Sequence, residues 1–264
     1  MNILIIGNTA STGWHLRNKL KERGHIAHLR FKETPTLSGK SDKEFFPVEE
    51  YDIVHFNAPQ ISAVRFIKEY TMWKKAKRVV CHWHGTDLRC LDYKVYKKNR
   101  KSLKFLSPLL YTIYKTSRYL TKRTFFKGAD YNFYSTHDLA WWLRGIPNNK
   151  KEHIYCPIDT DTFKPIKCEK QGTFINIGGG LAEGKEKIKH DDMSKHLNKF
   201  EKAEIYPAYG ISPYILSVTA MECLACGLKV KHHPEKDRNW IIKNCSTPVF
   251  TDKVLEVYER LIKE

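Results

Sequence analysis

Three short stretches of the chain carry residue types that could do chemistry. The first is His82-Trp83-His84-Gly85-Thr86-Asp87, with two imidazoles and a carboxylate within six residues. A histidine trades protons near neutral pH, and a neighbouring carboxylate can orient it. The same side chains invite a metal reading, but one short loop offers poor spacing for four ligands, and no metal is expected. A capping loop without chemistry is the plainer alternative. The second stretch is Gly178-Gly179-Gly180-Leu181-Ala182-Glu183-Gly184-Lys185. A glycine turn with inward N–H groups can cradle a diphosphate; a flexible surface linker is the alternative.

The third stretch runs from Ser212-Pro213-Tyr214 to Gly227-Leu228-Lys229-Val230. Ser212 suits an N-cap, Pro213 the first helical position and Gly227 the residue past a helix end. Ile215, Val218 and Glu222 are spaced by three and four, so they share one helix face. A carboxylate on an apolar stripe is costly unless something pairs with it. The helix start above it offers N–H groups and a favourable dipole to an anion. The pattern implies a phosphate at Ser212–Tyr214 and a hydroxyl-bearing ligand near Glu222, or else a satisfied structural glutamate.

The elements that must position these residues follow from apolar runs and punctuation. Asn2 to Ile6 reads as a buried strand, Gly7 to Gly13 as a loop, the residues to about Arg23 as a helix, and His25 to Phe31 as a second strand. Such a βαβ opening predicts a parallel sheet. Tyr51 to Phe56 and Lys77 to Cys81 are further strands, and both lead into polar loops, at His55-Phe56-Asn57 and at His82 to Asp87. Ligands of open parallel sheets bind beyond the carboxyl ends of strands, so chemistry is expected there. Residues 99–127 read as helical, divided by Pro108, and Ala129 to Ser135 as a strand. Pro157 to Pro165 reads as an extended linker. Thr173 to Ile177 opens a second βα pattern. A helix from Met193 to Phe200 follows, capped by His190-Asp191-Asp192, then strands around Ala203 to Tyr206 and at Leu228 to Lys231, and a final helix from Thr251 to Glu264.

Met221-Glu222-Cys223-Leu224-Ala225-Cys226-Gly227 resembles the Glu-Ala-Met-Ala-Cys-Gly donor motif of the family-4 retaining glycosyltransferases, which have the GT-B fold. Ile158-Asp159-Thr160-Asp161-Thr162-Phe163-Lys164-Pro165 is similar to that family's interdomain segment, and His84-Gly85-Thr86-Asp87 to its His-Gly-Thr-Asp loop. The resemblance implies two Rossmann-like domains facing a cleft, an acceptor domain at 1–165, a reduced donor domain at 166–250 and a terminal helix at 251–264. It implies that Glu222 binds the donor ribose and that Gly179, Gly180, Lys185, Ser212, Pro213 and Tyr214 hold the diphosphate side. His84 would act at the transferred sugar, with Asp87 orienting it. Asn8, Thr12, Gly13, His55 and Asn57 would meet the acceptor. The chain departs from the family at Gly180, where an arginine is usual, and at Tyr214, where an acidic residue is usual. Only about 36 residues separate Lys185 from Glu222, which implies a trimmed second domain.

The implied activity is retaining transfer from a nucleotide sugar to a glycan, lipid-linked or protein acceptor, with no metal or other cofactor. Three alternatives stand beside it: a non-catalytic sugar- or nucleotide-binding protein of the same fold, an NADP-binding oxidoreductase on a Rossmann fold, and a basic nucleic-acid-binding protein. Arg30 near the end of strand two would suit NADP. No sequence-reading nucleic-acid motif is visible.

Composition sets the bounds. The chain has 264 residues, 41% of them hydrophobic and 12% aromatic, enough for a packed core. Its apolar runs are too short for a membrane-spanning helix, and Met1 to Gly7 lacks the features of a signal peptide. Seven cysteines at irregular spacing argue for a reducing cytoplasm. The net charge of +17 is uneven, with 30 of the 46 Lys/Arg within residues 1–165. Residues 93–129 hold eleven Lys/Arg and no acid. Such a stretch implies docking on anionic lipid at the inner membrane face, or a solvated basic surface.

Overall fold

The computed structural model describes residues 1–31, 39–58, 63–85, 112, 116, 127–177, 190–206 and 214–264, those at 63–68, 177, 190 and 191 without their side chains. The protein is α/β and Rossmann-like. Its larger sheet has six parallel strands: β1 (Asn2–Ile6), β2 (Ile26–Arg30), β3 (Ile53–Asn57), β4 (Val79–Trp83), β5 (Tyr131–Tyr134) and β6 (Lys151–His153), in the order β2-β1-β3-β4-β5-β6. The order reverses direction between β1 and β3. Loops after those two strands therefore diverge and leave a crevice at the carboxyl edge.

Both faces of this sheet are buried, as a parallel sheet requires. On one face Ile3, Ile5, Ile53, Val80 and Phe133 pack under α1 (Thr12–Glu22) and the last helix of the chain. On the other, Leu4, Ile6, Val54, Phe56, Cys81 and Trp83 pack with Met72 and Trp73 of α2 (Ala63–Lys75) and with Leu139 and Leu143.

A second parallel sheet holds three strands, β7 (Thr173–Ile177), β8 (Lys202–Tyr206) and β9 (Lys229–Val230), in that order. Its core gathers Phe174, Ala203, Ile205 and Val230 with residues of α3 (His190–Leu197), α4 (Val218–Ala225) and α5 (Arg238–Cys245). Residues His190 to Asp192 form the first turn of α3 rather than a cap before it.

Two expectations need correction. The last helix, α6, spans Thr247–Lys263 and starts four residues earlier than Thr251, because Pro248 fits its first turn. It returns to the larger sheet, with Phe250, Val254 and Tyr258 in that core. The segment from Pro157 to Pro165 is a turn rather than an extended linker. Asp159 accepts hydrogen bonds from the Asp161 and Thr162 N–H groups and from the Thr162 hydroxyl, at 3.1, 3.2 and 2.7 Å. Phe163 then folds into the second core. The Arg238 guanidinium ties the turn down by donating to the carbonyls of Thr160, Phe163 and Ala225.

Candidate functional site

Side chains alternate across a strand, so the polar residues at the carboxyl edge of the larger sheet sort by face. His55 and Asn57 at the end of β3, His82 and His84 on and after β4, and Ser135 after β5 share the face that α6 covers. There they form one chain of hydrogen bonds. Asn57 Nδ2 donates to the Gly7 carbonyl at 3.4 Å, so Asn57 Oδ1 faces His84 Nε2 and accepts from it. That fixes His84 as the Nε2–H tautomer, with Nδ1 as acceptor. The Ser135 hydroxyl, 3.1 Å away, then donates to Nδ1 and accepts from His82 Nε2 at 2.9 Å. Cys156 Sγ also lies 3.3 Å from His84 Nδ1.

This arrangement requires neutral imidazoles. Burial lowers the pKa of His84 and of His55 to about 3, and that of His82 well below its ordinary value. His82 stacks on Phe250 of α6, and its Nδ1 has no hydrogen-bond partner among the described residues. His55, an expected acceptor contact, has no exposed surface; its Nδ1 lies 2.5 Å from the Tyr258 hydroxyl of α6. It is a core residue that anchors the terminal helix.

The loop after β1 is equally closed. Gly7 has φ +98° and so little room that an added Cβ would fall 2.2 Å from the Asn57 carbonyl oxygen. Gly13 sits as tightly against the Gly7 carbonyl. Asn8 is buried, and its Oδ1 accepts the Trp14 N–H at 2.8 Å; Thr12 is fully buried with its hydroxyl unpartnered. Ala10, Ser11 and Ala58 all adopt left-handed backbone, at φ 50°, 58° and 56°. Three such residues on the two loops flanking the crevice store strain that the surrounding packing must hold.

On the second sheet, α4 begins at Val218 and not beside Ser212. Its N-cap is Ser217, whose hydroxyl accepts the Ala220 N–H at 3.2 Å. Ser212 and Pro213 lie outside the described residues, as do Asp87, Gly179, Gly180, Lys185 and nearly all of 93–129. Tyr214 is described; it is 73% exposed, in the turn that leads into the helix. The C-terminal end is as expected. Gly227, at φ +82°, donates to the Leu224 carbonyl, and Leu228 donates to that of Cys223, a Schellman closure.

Glu222 is partly buried on α4, and its carboxylate has no hydrogen-bond or ion-pair partner among the described residues. Burial pushes its pKa up to about 8. Some of the residue still meets solvent. Burial likewise raises the Cys223 thiol well above its ordinary value and that of Cys226 to about 11, so both are protonated core side chains at neutral pH.

Among the described residues, two cavities border the second sheet. One, of about 680 Å³, is lined by Thr173, Lys202 and Lys229, the first residues of β7, β8 and β9, and so lies at the amino ends of the strands. The other, of about 500 Å³, is lined by Thr136, His137, Tyr155, Tyr214, Ile215, Leu216 and the stretch His232 to Lys236. These residues follow the carboxyl ends of β5, β6, β8 and β9, which come from both sheets. This second cavity is the better candidate, since parallel sheets bind ligands at that end. Of its lining only Tyr214 is among the candidate site residues read from the sequence; Ile215, read as sharing a helix face with Val218 and Glu222, lies before the helix. His137, Tyr155, His232 and His233 were missed, although each stands two or three residues past a strand end, the signal that could have found them. Among the described residues no group of three or more His, Cys, Asp or Glu is placed to hold a metal ion, and no helix is long and apolar enough to cross a membrane. Neither a family model nor a curated protein matches the chain.

Proposed function

We propose that the chain is a retaining, metal-independent glycosyltransferase in which two Rossmann-like domains of GT-B type face a cleft. The observation that carries this reading is the cavity bounded by strand ends of both sheets, with Tyr214 on its wall in the segment that leads into the Glu222 helix. A transferase that must hold donor and acceptor together needs such a shared edge. Glu222, whose carboxylate has no hydrogen-bond or ion-pair partner among the described residues, binds the donor ribose hydroxyls. Gly179, Gly180 and Lys185, with the Ser212–Tyr214 turn, hold the diphosphate. His84, its neutral ring held by Asn57 and Ser135 at the edge of the first sheet, lies against the sugar or acceptor hydroxyl, with Asp87 three residues further along the chain. The acceptor lies over the strained loops at Asn8 to Gly13 and at Asn57. The basic segment 93–129 docks on anionic lipid or on a lipid-linked acceptor.

The NADP alternative is the weaker reading. A pyrophosphate would need the start of α1, yet Asn8 already takes the Trp14 N–H there, and the Arg30 guanidinium lies over the Phe45 ring at 5.5 Å. The test is a thermal-shift series with UDP, GDP, their common sugars and NADP, on wild type and Glu222→Ala. Stabilisation by one nucleotide-sugar class, lost in the variant, is the expected result. Stabilisation by NADP alone would overturn the transferase reading.

A further inference from the structure

We propose that the 680 Å³ cavity at the amino ends of β7, β8 and β9 binds a small phosphate monoester, bridged by the ammonium groups of Lys202 and Lys229. It lies at the opposite strand ends from the cavity of the proposed transferase, and the inference does not rest on that reading. Thr173, Lys202 and Lys229 are register partners on three neighbouring strands, so their side chains leave one face of the sheet in a row. The next residue along each strand, Phe174, Ala203 or Val230, points the other way into the core. Neighbouring strands are about 4.8 Å apart, so the two lysines stand side by side, where like charges repel. Two residues further along, the same face shows a balanced pair: Lys231 donates to Glu204 at 3.1 Å and to the Tyr206 hydroxyl at 3.3 Å. Lys202 and Lys229 have no hydrogen-bond or ion-pair partner among the described residues.

The acids on the cavity wall are already engaged. Glu204 holds Lys231, and Asp237 caps α5 by accepting the Trp240 N–H at 2.8 Å. The other cations there are engaged too, Lys236 with Glu235 and Arg238 with backbone carbonyls. Two uncommitted positive charges therefore remain, and they call for a dianion. A phosphate monoester carries about −1.5 to −2 on one group at neutral pH, with three oxygens to accept bonds. A carboxylate supplies a single charge. The Thr173 hydroxyl, next in the row, is placed to donate a further bond. The remaining wall suits an uncharged organic body, since Leu224, Leu228 and Val230 contribute to it. His233 also lines the cavity; it is 4% exposed, and its Nε2 has no hydrogen-bond partner among the described residues. That nitrogen offers the body one buried polar contact. The volume falls within the roughly 300–1,000 Å³ of small-molecule sites.

Isothermal titration with phenyl phosphate and with benzoate, at one ionic strength, tests this. Wild type is compared with K202Q/K229Q, with each single variant, with K40Q/K263Q and with Glu222→Ala. Lys202 and Lys229 are exposed, so their variants keep the fold. Lys40 and Lys263 are exposed lysines outside the cavity, and losing them removes the same charge. Wild type should bind phenyl phosphate about tenfold more tightly than benzoate. K202Q/K229Q should lose about tenfold in phenyl phosphate affinity and each single variant less, while K40Q/K263Q and Glu222→Ala bind as wild type does. No binding of phenyl phosphate, equal binding of benzoate, or an equal loss in K40Q/K263Q overturns the proposal. A loss in Glu222→Ala also overturns it, by placing the ligand at the donor site. The transferase reading stands or falls separately, on the nucleotide-sugar thermal shift.

Discussion

The carboxyl edge of the larger sheet and the α4 helix of the smaller one both bury polar groups, but they resolve the cost differently. At the sheet edge Gly7, Asn57, His84, Ser135 and His82 bond one another in sequence, and His82 Nδ1 and His55 Nε2 are the ring nitrogens left without a partner among the described residues. At α4 the Glu222 carboxylate meets no described protein group and shifts its pKa instead. Buried polar groups that are internally satisfied rigidify a structure, whereas an unsatisfied one is held for a partner or carried as a cost. In the proposed transferase the first region positions and the second binds.

The largest expected effect attacks the rigid side. Gly7→Ala demands a left-handed φ of +98° from a residue with a Cβ and drives that Cβ into the Asn57 carbonyl. Neither strand can yield, because β1 and β3 are hydrogen-bonded neighbours. Urea unfolding should show a loss of more than about 3 kcal/mol, or no folded protein. A loss below about 1 kcal/mol would mean that the edge is soft, and that the comparison has its sides reversed.

The two regions should also answer pH in opposite senses. His55, His82 and His84 refuse protons in the folded state that the unfolded chain binds below 6.5, so their contribution is present above 6.5 and lost as pH falls towards 3. Glu222 keeps in the folded state a proton that the unfolded chain releases near 4.5. Its contribution is therefore lost as pH rises from 4.5 to about 8. Above pH 6.5 only the glutamate among these four groups still changes its contribution, and through it stability should decline towards pH 8. The ceiling is about 1.4 kcal/mol per pH unit, reduced by the solvent that reaches the residue. Glu222→Gln should flatten the alkaline limb of a stability–pH curve and leave the acid limb intact. An unchanged alkaline limb would show that a group outside the described residues already pairs with Glu222.

Most strands were legible because they are apolar runs that need only local sequence to be seen, as at Asn2–Ile6 and Thr173–Ile177; the edge strand Lys151–His153, polar at every position, was not. The roles of the histidines were less so. His55 looks like a loop residue at a strand end, and what buries it is Tyr258, 203 residues away. The same holds for the Pro157–Pro165 turn: Asp159 closes it locally, but Arg238 from α5 locks it. Glu222 and Gly227 were read correctly as to element, because helix periodicity and a glycine stop are local signals.

The start of α4 is the instructive miss, and it yields the smallest predicted effect. Ser212-Pro213 is the stronger cap signature by composition, since proline suits the first helical position. Ser217-Val218 carries no such mark, yet the Ser217 hydroxyl makes the capping bond to Ala220. The difference matters for binding, because it moves the N-terminal N–H groups five residues closer to Glu222 and leaves Tyr214 in the preceding turn, on the wall of the cavity. Ser217→Ala should cost about 1 kcal/mol in urea unfolding, and Ser217→Asp should recover most of it. If Ser217→Ala is neutral, the helix begins elsewhere, Tyr214 is not held in that turn, and the contrast between a closed edge and a receptive helix loses the residue that joins α4 to the cavity.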